Sequence, residues 1–296
     1  MVEISIQEMI EAGAHFGHQT RKWNPKMKPY LYGTRSGVHI IDLGQTFDLA
    51  KKAFNLLEEV VASGKHVLFV GTKEQAQTVI EDAATKSSMP YVTRRWMGGM
   101  LTNFSTIRRS VERMIDLETR RTNNDFAGFT KKELLGVDRA IEKLNAALGG
   151  IRNMNTIPGA LFVVDPSLED IAVHEANVLN VPVIAITDSN CNPDPIDYVI
   201  PANDDALRSI QIFTERALEA CLRGLEKREA LARGASDEKK KKAQRVSQPA
   251  EAGRAYVKRA ESFEANENEK LDSFSAQVEV EEVQETIVEE IQGPKE

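Results

Sequence analysis

Unbroken apolar runs set the architecture of this chain. His66-Val-Leu-Phe-Val70, Ala160-Leu-Phe-Val-Val164 and Val183-Ile-Ala-Ile-Thr187, with the shorter Tyr198-Val-Ile200, show no polar–apolar alternation. A strand with one wetted face alternates, whereas a strand buried on both faces does not. Each run leads into a helical stretch. Gly71-Thr-Lys precedes a helix to about Lys86, and Asp165-Pro166 precedes a helix in which Ser167 and Asp170 are spaced as a capping box. Pro201-Ala-Asn203 supplies an N-cap for a long helix to about Arg233, and Tyr91-Val92 offers a short extra strand. Apolar strands alternating with helices predict an α/β domain with a doubly wound parallel sheet.

Ahead of these runs the pattern predicts a short helix from Ile6 to Ala14. A hairpin follows, in which Tyr30-Leu-Tyr and Val38–Asp42 flank a turn over Gly33–Gly37. An amphipathic helix from Gln45 to Ser63 comes next, with Phe47, Phe54, Leu57 and Val61 on one side and Gly64 at its end. Between Asn103 and Gly150 the strand–helix alternation stops. Phe104, Ile107, Val111 and Met114 form one heptad stripe, and Leu134, Val137, Ile141, Leu144 and Leu148 form another. A polar segment, Thr119–Thr130, separates them. Two such stripes predict an antiparallel coiled-coil α-hairpin, protruding because each arm has only a narrow apolar seam. The expected organisation is an α/β body over 1–102 and 151–233, an inserted hairpin over 103–150, and a charged, largely disordered tail over 234–296. In the tail, Val280, Val283, Ile287 and Ile291 keep helical spacing and make one marginal helix available to a partner.

The net charge of −7 conceals an asymmetry: residues 263–296 carry −9, leaving +2 for the rest. The acidic balance therefore says nothing against an anionic partner for the body. Cys191 and Cys221 are the only cysteines, too few for a disulfide framework or a zinc motif, which fits a reducing cytoplasm. Glu3, Glu8 and Glu11 and the lack of an apolar h-region argue against a signal peptide. No apolar run reaches the ~18 residues of a membrane span.

Two acid-free basic stretches are the most informative feature for function. From His15 through Gly37 the chain carries Arg21, Lys22, Lys26, Lys28 and Arg35, interleaved with Phe16, Trp23, Tyr30 and Tyr32. Pro25 and Pro29 forbid a regular helix and lower the entropy lost on ordering. Cations on such a segment neutralise phosphates, and the aromatic faces stack on bases. The second stretch, Thr93–Arg109, holds Arg94, Arg95, Arg108 and Arg109 around Gly98-Gly99, with Asn103 placed to cap the next helix. Backbone approach at Gly-Gly beside guanidinium forks suits a sugar–phosphate chain. The bland alternatives are a basic loop over a core edge and a tight turn with Trp96 in the core.

Catalytic signals are thin. Val70-Gly71-Thr72-Lys73 sits where a strand meets a helix N-terminus and suits an anion, but neither GxxxxGK[ST] nor GxGxxG is present. Lys73 is therefore read as a contact to one phosphate of a polymer. A divalent metal near His18 or His39 with Asp188 and Asp205 is chemically open. These aspartates serve equally as caps of helices and turns. No Ser nucleophile lies in a G-x-S-x-G elbow.

Several long motifs carry a family resemblance: His15-Phe-Gly-His-Gln-Thr-Arg-Lys-Trp-Asn-Pro-Lys-Met-Lys-Pro-Tyr30, Leu68-Phe-Val-Gly-Thr-Lys73, Arg95-Trp-Met-Gly-Gly-Met-Leu-Thr-Asn-Phe104 and Val199-Ile-Pro-Ala-Asn-Asp-Asp-Ala206. They resemble the bacterial form of small-subunit ribosomal protein two, over about residues 1–230. The resemblance implies a flavodoxin-like body with a protruding coiled-coil hairpin. It also implies no enzymatic activity and no cofactor, a cytoplasmic place on the ribosome, binding to small-subunit ribosomal RNA, and help in recruiting the large first protein of that subunit, which captures messenger RNA. The expected RNA contacts are Arg21, Lys22, Trp23, Lys26, Lys28, Arg35, Lys73, Arg94, Arg95, Arg108 and Arg109. The tail after Gly234 is longer than in a typical bacterial member. Two other classes stay open on the residues alone: an α/β enzyme acting on a phosphorylated small molecule, and a protein-interaction scaffold.

Overall fold

The computed structural model describes residues 4–123, 125–126 and 128–247. The chain divides into two compact units, 1–232 and 233–296. Four of the apolar stretches become strands β4 (Val67–Val70), β6 (Ala160–Val164), β7 (Val183–Thr187) and β8 (Tyr198–Pro201). With β5 (Tyr91–Val92) they form one five-stranded sheet in the order β5-β4-β6-β7-β8, every pair parallel. Counted along the chain this is the 2-1-3-4-5 order of flavodoxin-like sheets.

The absence of alternation in the strands has a direct structural cause. Phe69, Phe162, Ile184 and Ile200 project into one core, and Leu68, Val70, Leu161, Val163 and Ala185 into another. Helices α2 (Leu43–Ala62), α3 (Glu74–Ser87) and α7 (Leu207–Ser247) supply Phe54, Ile80 and Phe213 to the first core. The second is closed by α4 (Phe104–Thr122), α6 (Asp170–Val178) and the segment between β5 and α4. Each fully buried Phe or Leu contributes about 1.5–3 kcal/mol, so burial on both faces strongly favours the parallel sheet. Among the described residues no helix is long and apolar enough to cross a membrane.

Helices α4 and α5 (Lys131–Leu148) occupy the interruption between Asn103 and Gly150. Ile107, Val111, Met114 and Leu148 are buried in the second core, whereas Leu134, Val137, Ile141 and Leu144 are half-buried. Arg121 donates to both oxygens of Asp138, Nε to Oδ1 at 2.7 Å and Nη2 to Oδ2 at 3.2 Å. In the connection Phe126 is buried and Arg120 lies 5.2 Å from its ring centroid, so this segment is less uniformly polar than its composition implies.

The N-terminal region, after α1 (Ile6–Glu11), forms a three-stranded antiparallel sheet in the order β1-β3-β2 from β1 (Phe16–Gln19), β2 (Leu31–Arg35) and β3 (Val38–Ile41). The turn of the expected hairpin is tighter than five residues. Arg35 pairs with Val38, and only Ser36 and Gly37 turn, both at positive φ (53° and 78°), as a two-residue type I′ turn requires. Gly33 belongs to β2 instead, opposite Ile40.

Three local expectations are corrected. Ser167 does not cap α6. Asp165, itself at φ 59°, accepts from the backbone N–H groups of Ser167 and Leu168, and the helix starts only at Asp170. Asn203 likewise folds a turn ahead of α7, accepting from Asp205 and Ala206 N–H. Helix α7 also runs past Arg233 to Ser247. Gly234 weakens a helix by about 1 kcal/mol relative to Ala, but the Ala, Lys, Glu, Gln and Arg that follow are strong helix formers. The expected helix within 277–292 lies outside the described residues.

Candidate nucleic-acid interface

The first basic stretch is built outward from one buried side chain. After β1 the chain makes two 3₁₀ turns, Thr20–Lys22 and Pro25–Tyr30, and Met27 plugs the second into the core with no exposed surface. Asn24 Oδ1 accepts from Lys26 N–H at 3.0 Å, and Asn24 N–H donates to the Ser189 carbonyl at 2.8 Å. With the backbone anchored, Arg21, Lys22, Lys26, Lys28 and Arg35 are all exposed. Tyr32 is 82% exposed on the outer face of β2 and Phe16 is 48% exposed. Trp23 is half-buried beside His39, with ring centroids 5.1 Å apart. Lys26 pairs with Asp194 across the surface, and Arg21 Nε donates to Gln19 at 3.0 Å.

A carboxylate that sequence reasoning missed organises the second stretch. Glu175, buried on α6, accepts five hydrogen bonds. Oε1 takes Trp96 Nε1–H at 3.0 Å and Gly99 N–H at 2.7 Å. Oε2 takes Leu101 N–H at 2.9 Å, with Thr102 N–H and Thr102 Oγ1–H each at 3.0 Å. Burial works against its charge, but these donors outweigh it and hold its pKa below the ordinary carboxylate value. Trp96 is core, and Gly99 at φ 84° makes the bend. The same scaffold leaves Arg94 and Arg95 exposed. Arg109 is exposed on α4, whereas Arg108 is half-buried and donates to the carbonyls of Arg152 and Met154 at 2.9 and 3.4 Å. Asn103 stands at the N-cap of α4, but its Oδ1 accepts from Thr106 Oγ1 at 2.8 Å instead of from a backbone N–H.

Between β4 and β6, where the strand order reverses, a flavodoxin-like sheet usually opens its ligand crevice. Here the chain's own groups fill it. Thr72 N–H, at the start of α3, donates to Glu169 Oε1 at 2.8 Å, so a buried carboxylate sits where a phosphate would bind. Gly71 is needed for close packing: a Cβ there would meet Ile80 Cγ1 at 3.1 Å and Ala76 Cβ at 3.2 Å. Lys73 points inward, with Nζ at 2.7 Å from Asp204, 2.5 Å from Asp205 and 3.5 Å from Asp165. Burial opposes its charge, but the Asp204 and Asp205 bonds outweigh it and raise its pKa. Lys73 is thus spent on carboxylates, not aimed at solvent.

Alongside lies His18, Nδ1 at 2.8 Å from Asp188 and Nε2 at 3.4 Å from Asp205. The Asp188 bond raises its pKa. Burial, with Asp165 and Asp188 nearby, pushes Asp204 up to about 7. His39 is not part of this group. It is buried against Trp23, so of the two expected histidines only His18 meets the carboxylates, and the clustered pair is Asp188 with Asp204. Cys191 and Cys221 are free and buried, their thiols pushed up to about 12 by burial.

The cluster also docks the basic sheet on the carboxyl edge of the parallel one. His18 N–H donates to Ser189 Oγ at 2.8 Å, and Asn203 N–H donates to the Ala14 carbonyl at 3.0 Å. The first basic stretch therefore sits beyond β7 and β8, and the second follows β5 at the other end of the strand order.

Residues 9–224 match the model of the family described as ribosomal protein S2. The chain belongs to the ribosomal protein S2 family. It is 48% identical over 252 residues to the small ribosomal subunit protein uS2 of Roseiflexus sp. (strain RS-1), covering 84% of this chain and 96% of that one. The uS2 of Lawsonia intracellularis is 51% identical over 224 residues, 76% of this chain and 77% of that one. That of Mycobacteroides abscessus is 50% identical over 239 residues, 81% and 86% respectively. The ribosomal protein S2 family is structural and not enzymatic, which sets aside the α/β enzyme.

Proposed function

We propose that this protein is a cytoplasmic structural component of the small ribosomal subunit that binds ribosomal RNA through its two basic stretches. The observation that carries the reading is the presentation of exposed cations by braced backbone. Arg21, Lys22 and Lys28 stand on the two 3₁₀ turns, the second anchored by Met27, Arg35 stands at the end of β2, and Arg94 and Arg95 stand on a bend locked by Glu175. Pre-ordered cations lose less entropy on binding than a floppy basic tail does. Exposed Tyr32 and Phe16 add stacking faces, and half-buried Trp23 belongs to the same stretch. Lys26 and Arg109 extend the two surfaces, whereas Lys73 and Arg108 act by ordering the backbone that carries them.

The pair α4–α5 is proposed as the protruding coiled-coil hairpin, reaching a second RNA helix or a neighbouring ribosomal protein. Recruitment of the large first protein of the subunit is part of the same proposal, supported by family membership. Backbone contacts make recognition depend on RNA shape and on salt more than on sequence. Titrating a small-subunit ribosomal RNA transcript with the full chain over a salt series tests this. The logarithm of affinity should fall linearly with that of salt, and each Arg or Lys to Ala change in the exposed set should lower the slope by about 1. A slope that none of these substitutions alters would contradict the assignment.

A further inference from the structure

We propose that the cleft between β5 and the end of α5 holds one unpaired guanine nucleotide of RNA. The two basic stretches offer contacts to the RNA backbone, whereas this cleft would read a base, so the inference rests on the RNA-binding reading above. The cavity measures about 420 Å³, inside the ~300–1,000 Å³ range of small-ligand sites. Tyr91, Arg94, Glu142 and Asn145 are the lining residues with the chemistry to hold a nucleotide.

Tyr91 is the stacking platform. Its hydroxyl donates to Glu81 Oε1 at 3.1 Å. One edge of its ring lies against bare backbone, since a Cβ on Gly150 would meet Tyr91 Cδ2 at 2.8 Å and Cε2 at 2.9 Å. A ring held at both places loses little freedom when a base stacks on it. Tyr91 is only half-buried, so part of its surface is open to the cavity.

Base identity follows from Glu142 and Asn145, three residues apart on one face of α5. Both are exposed, and among the described residues neither side chain has a hydrogen bond or an ion pair. A carboxylate accepts through two oxygens, and an amide both donates and accepts. The Watson–Crick edge of guanine sets N1–H and the N2 amino group beside the O6 acceptor, which matches that pair. Uracil offers one N–H between two carbonyls and does not.

Arg94 supplies the phosphate contact. It is exposed and unpaired among the described residues, whereas Arg152, the cavity's other arginine, is held by Glu118 at 2.9 Å. Glu81 and Glu142 repel a phosphate within the cleft, which leaves the cleft to the base and Arg94 to the phosphate. A neighbouring cavity of about 260 Å³ touches the same Tyr91, Gly149 and Gly150, but no Lys, Arg, Asp or Glu lines it. The side chain of a partner protein's arginine would meet Arg94 and Arg152, so charge favours a nucleotide.

The test uses the full chain, freed of nucleic acid, and four labelled RNA pentamers, UUGUU, UUAUU, UUCUU and UUUUU, followed by fluorescence anisotropy at low salt. UUGUU should bind at least about 5-fold more tightly than UUUUU. Glu142→Gln should bring the four to within about 2-fold of one another. Tyr91→Leu should weaken UUGUU by about 5–150-fold, and Arg94→Ala should weaken all four alike. The wild-type series decides even if a variant fails to fold. Equal binding of the four, with a small-subunit ribosomal RNA transcript still bound in a salt-dependent way, would overturn the pocket and leave the RNA-binding reading standing. A transcript that does not bind would remove both. Capture of the peptide Gly-Gly-Arg-Gly-Gly by the wild type but not by Glu142→Gln, without preference among the RNAs, would assign the cleft to a protein partner and also overturn the proposal.

Discussion

Replacing Glu175 by Gln isolates the brace beneath Arg94 and Arg95. The side chain keeps its shape, but one of two acceptor oxygens becomes an NH2. The least damaging rotamer keeps the carbonyl toward Leu101 and Thr102, and sets the amide nitrogen against Trp96 Nε1–H and Gly99 N–H. Two buried donors then lose their acceptor. At about 1–3 kcal/mol each the loss is about 2–6 kcal/mol, a large share of the ~5–15 kcal/mol that holds a typical domain together. Urea unfolding followed by far-UV circular dichroism measures it.

The pH dependence gives an independent check. Glu175 has a folded pKa below its ordinary 4.5, so the unfolded chain binds the proton more readily. Its stabilisation is complete above pH 4.5 and is lost as pH falls through the folded value. Glu175→Gln lacks this contribution, so the stability gap between the two proteins should narrow on acidification below pH 4.5. A loss under ~1 kcal/mol at neutral pH, or a gap that does not depend on pH, would refute the brace.

Four further outcomes follow from the same geometry. Met27→Ala removes a fully buried anchor and should cost about 2–5 kcal/mol, with hydrogen exchange faster over residues 20–30 than over β4. Lys73→Met leaves buried Asp204 without its cation and should destabilise by about 3–5 kcal/mol, measured by urea unfolding; an unchanged midpoint would show that the lysine serves another purpose. Gly37→Val places a branched residue at φ 78° and should cost at least ~1–2 kcal/mol by thermal unfolding. Arg121→Ala should change stability by less than about 1 kcal/mol, because its pair with Asp138 is 38% exposed on both sides.

The parallel sheet was legible because its strands are buried on both faces, so Val67–Val70, Ala160–Val164 and Val183–Thr187 had to be written in apolar residues throughout. The basic stretches were legible because charge without counter-charge shows in any window. β1 was not: Phe16-Gly-His-Gln19 has no apolar pattern, and becomes a strand only by pairing with β3 and docking on Ser189. Glu175 was invisible for a related reason. It lies 73 to 79 residues from its partners, and an acid within Ala172–Ala176 reads as a solvated helix position. Lys73 looked like a phosphate ligand because its three carboxylates come from two distant loops. Position in the strand–helix order marked the junction of β4 and α3 as a place that suits an anion, but the crevice beside β6 and what fills it depended on long-range contacts.

Sedimentation of a cell lysate through sucrose, with the fractions probed for this protein at low and high salt, tests the central assignment most directly. The wild-type chain should travel with the small subunit at low salt and be released as salt rises, and the combined Arg21→Ala, Lys22→Ala, Arg94→Ala and Arg95→Ala variant should be released at lower salt. A folded wild-type protein that stays at the top of the gradient at every salt concentration would contradict it.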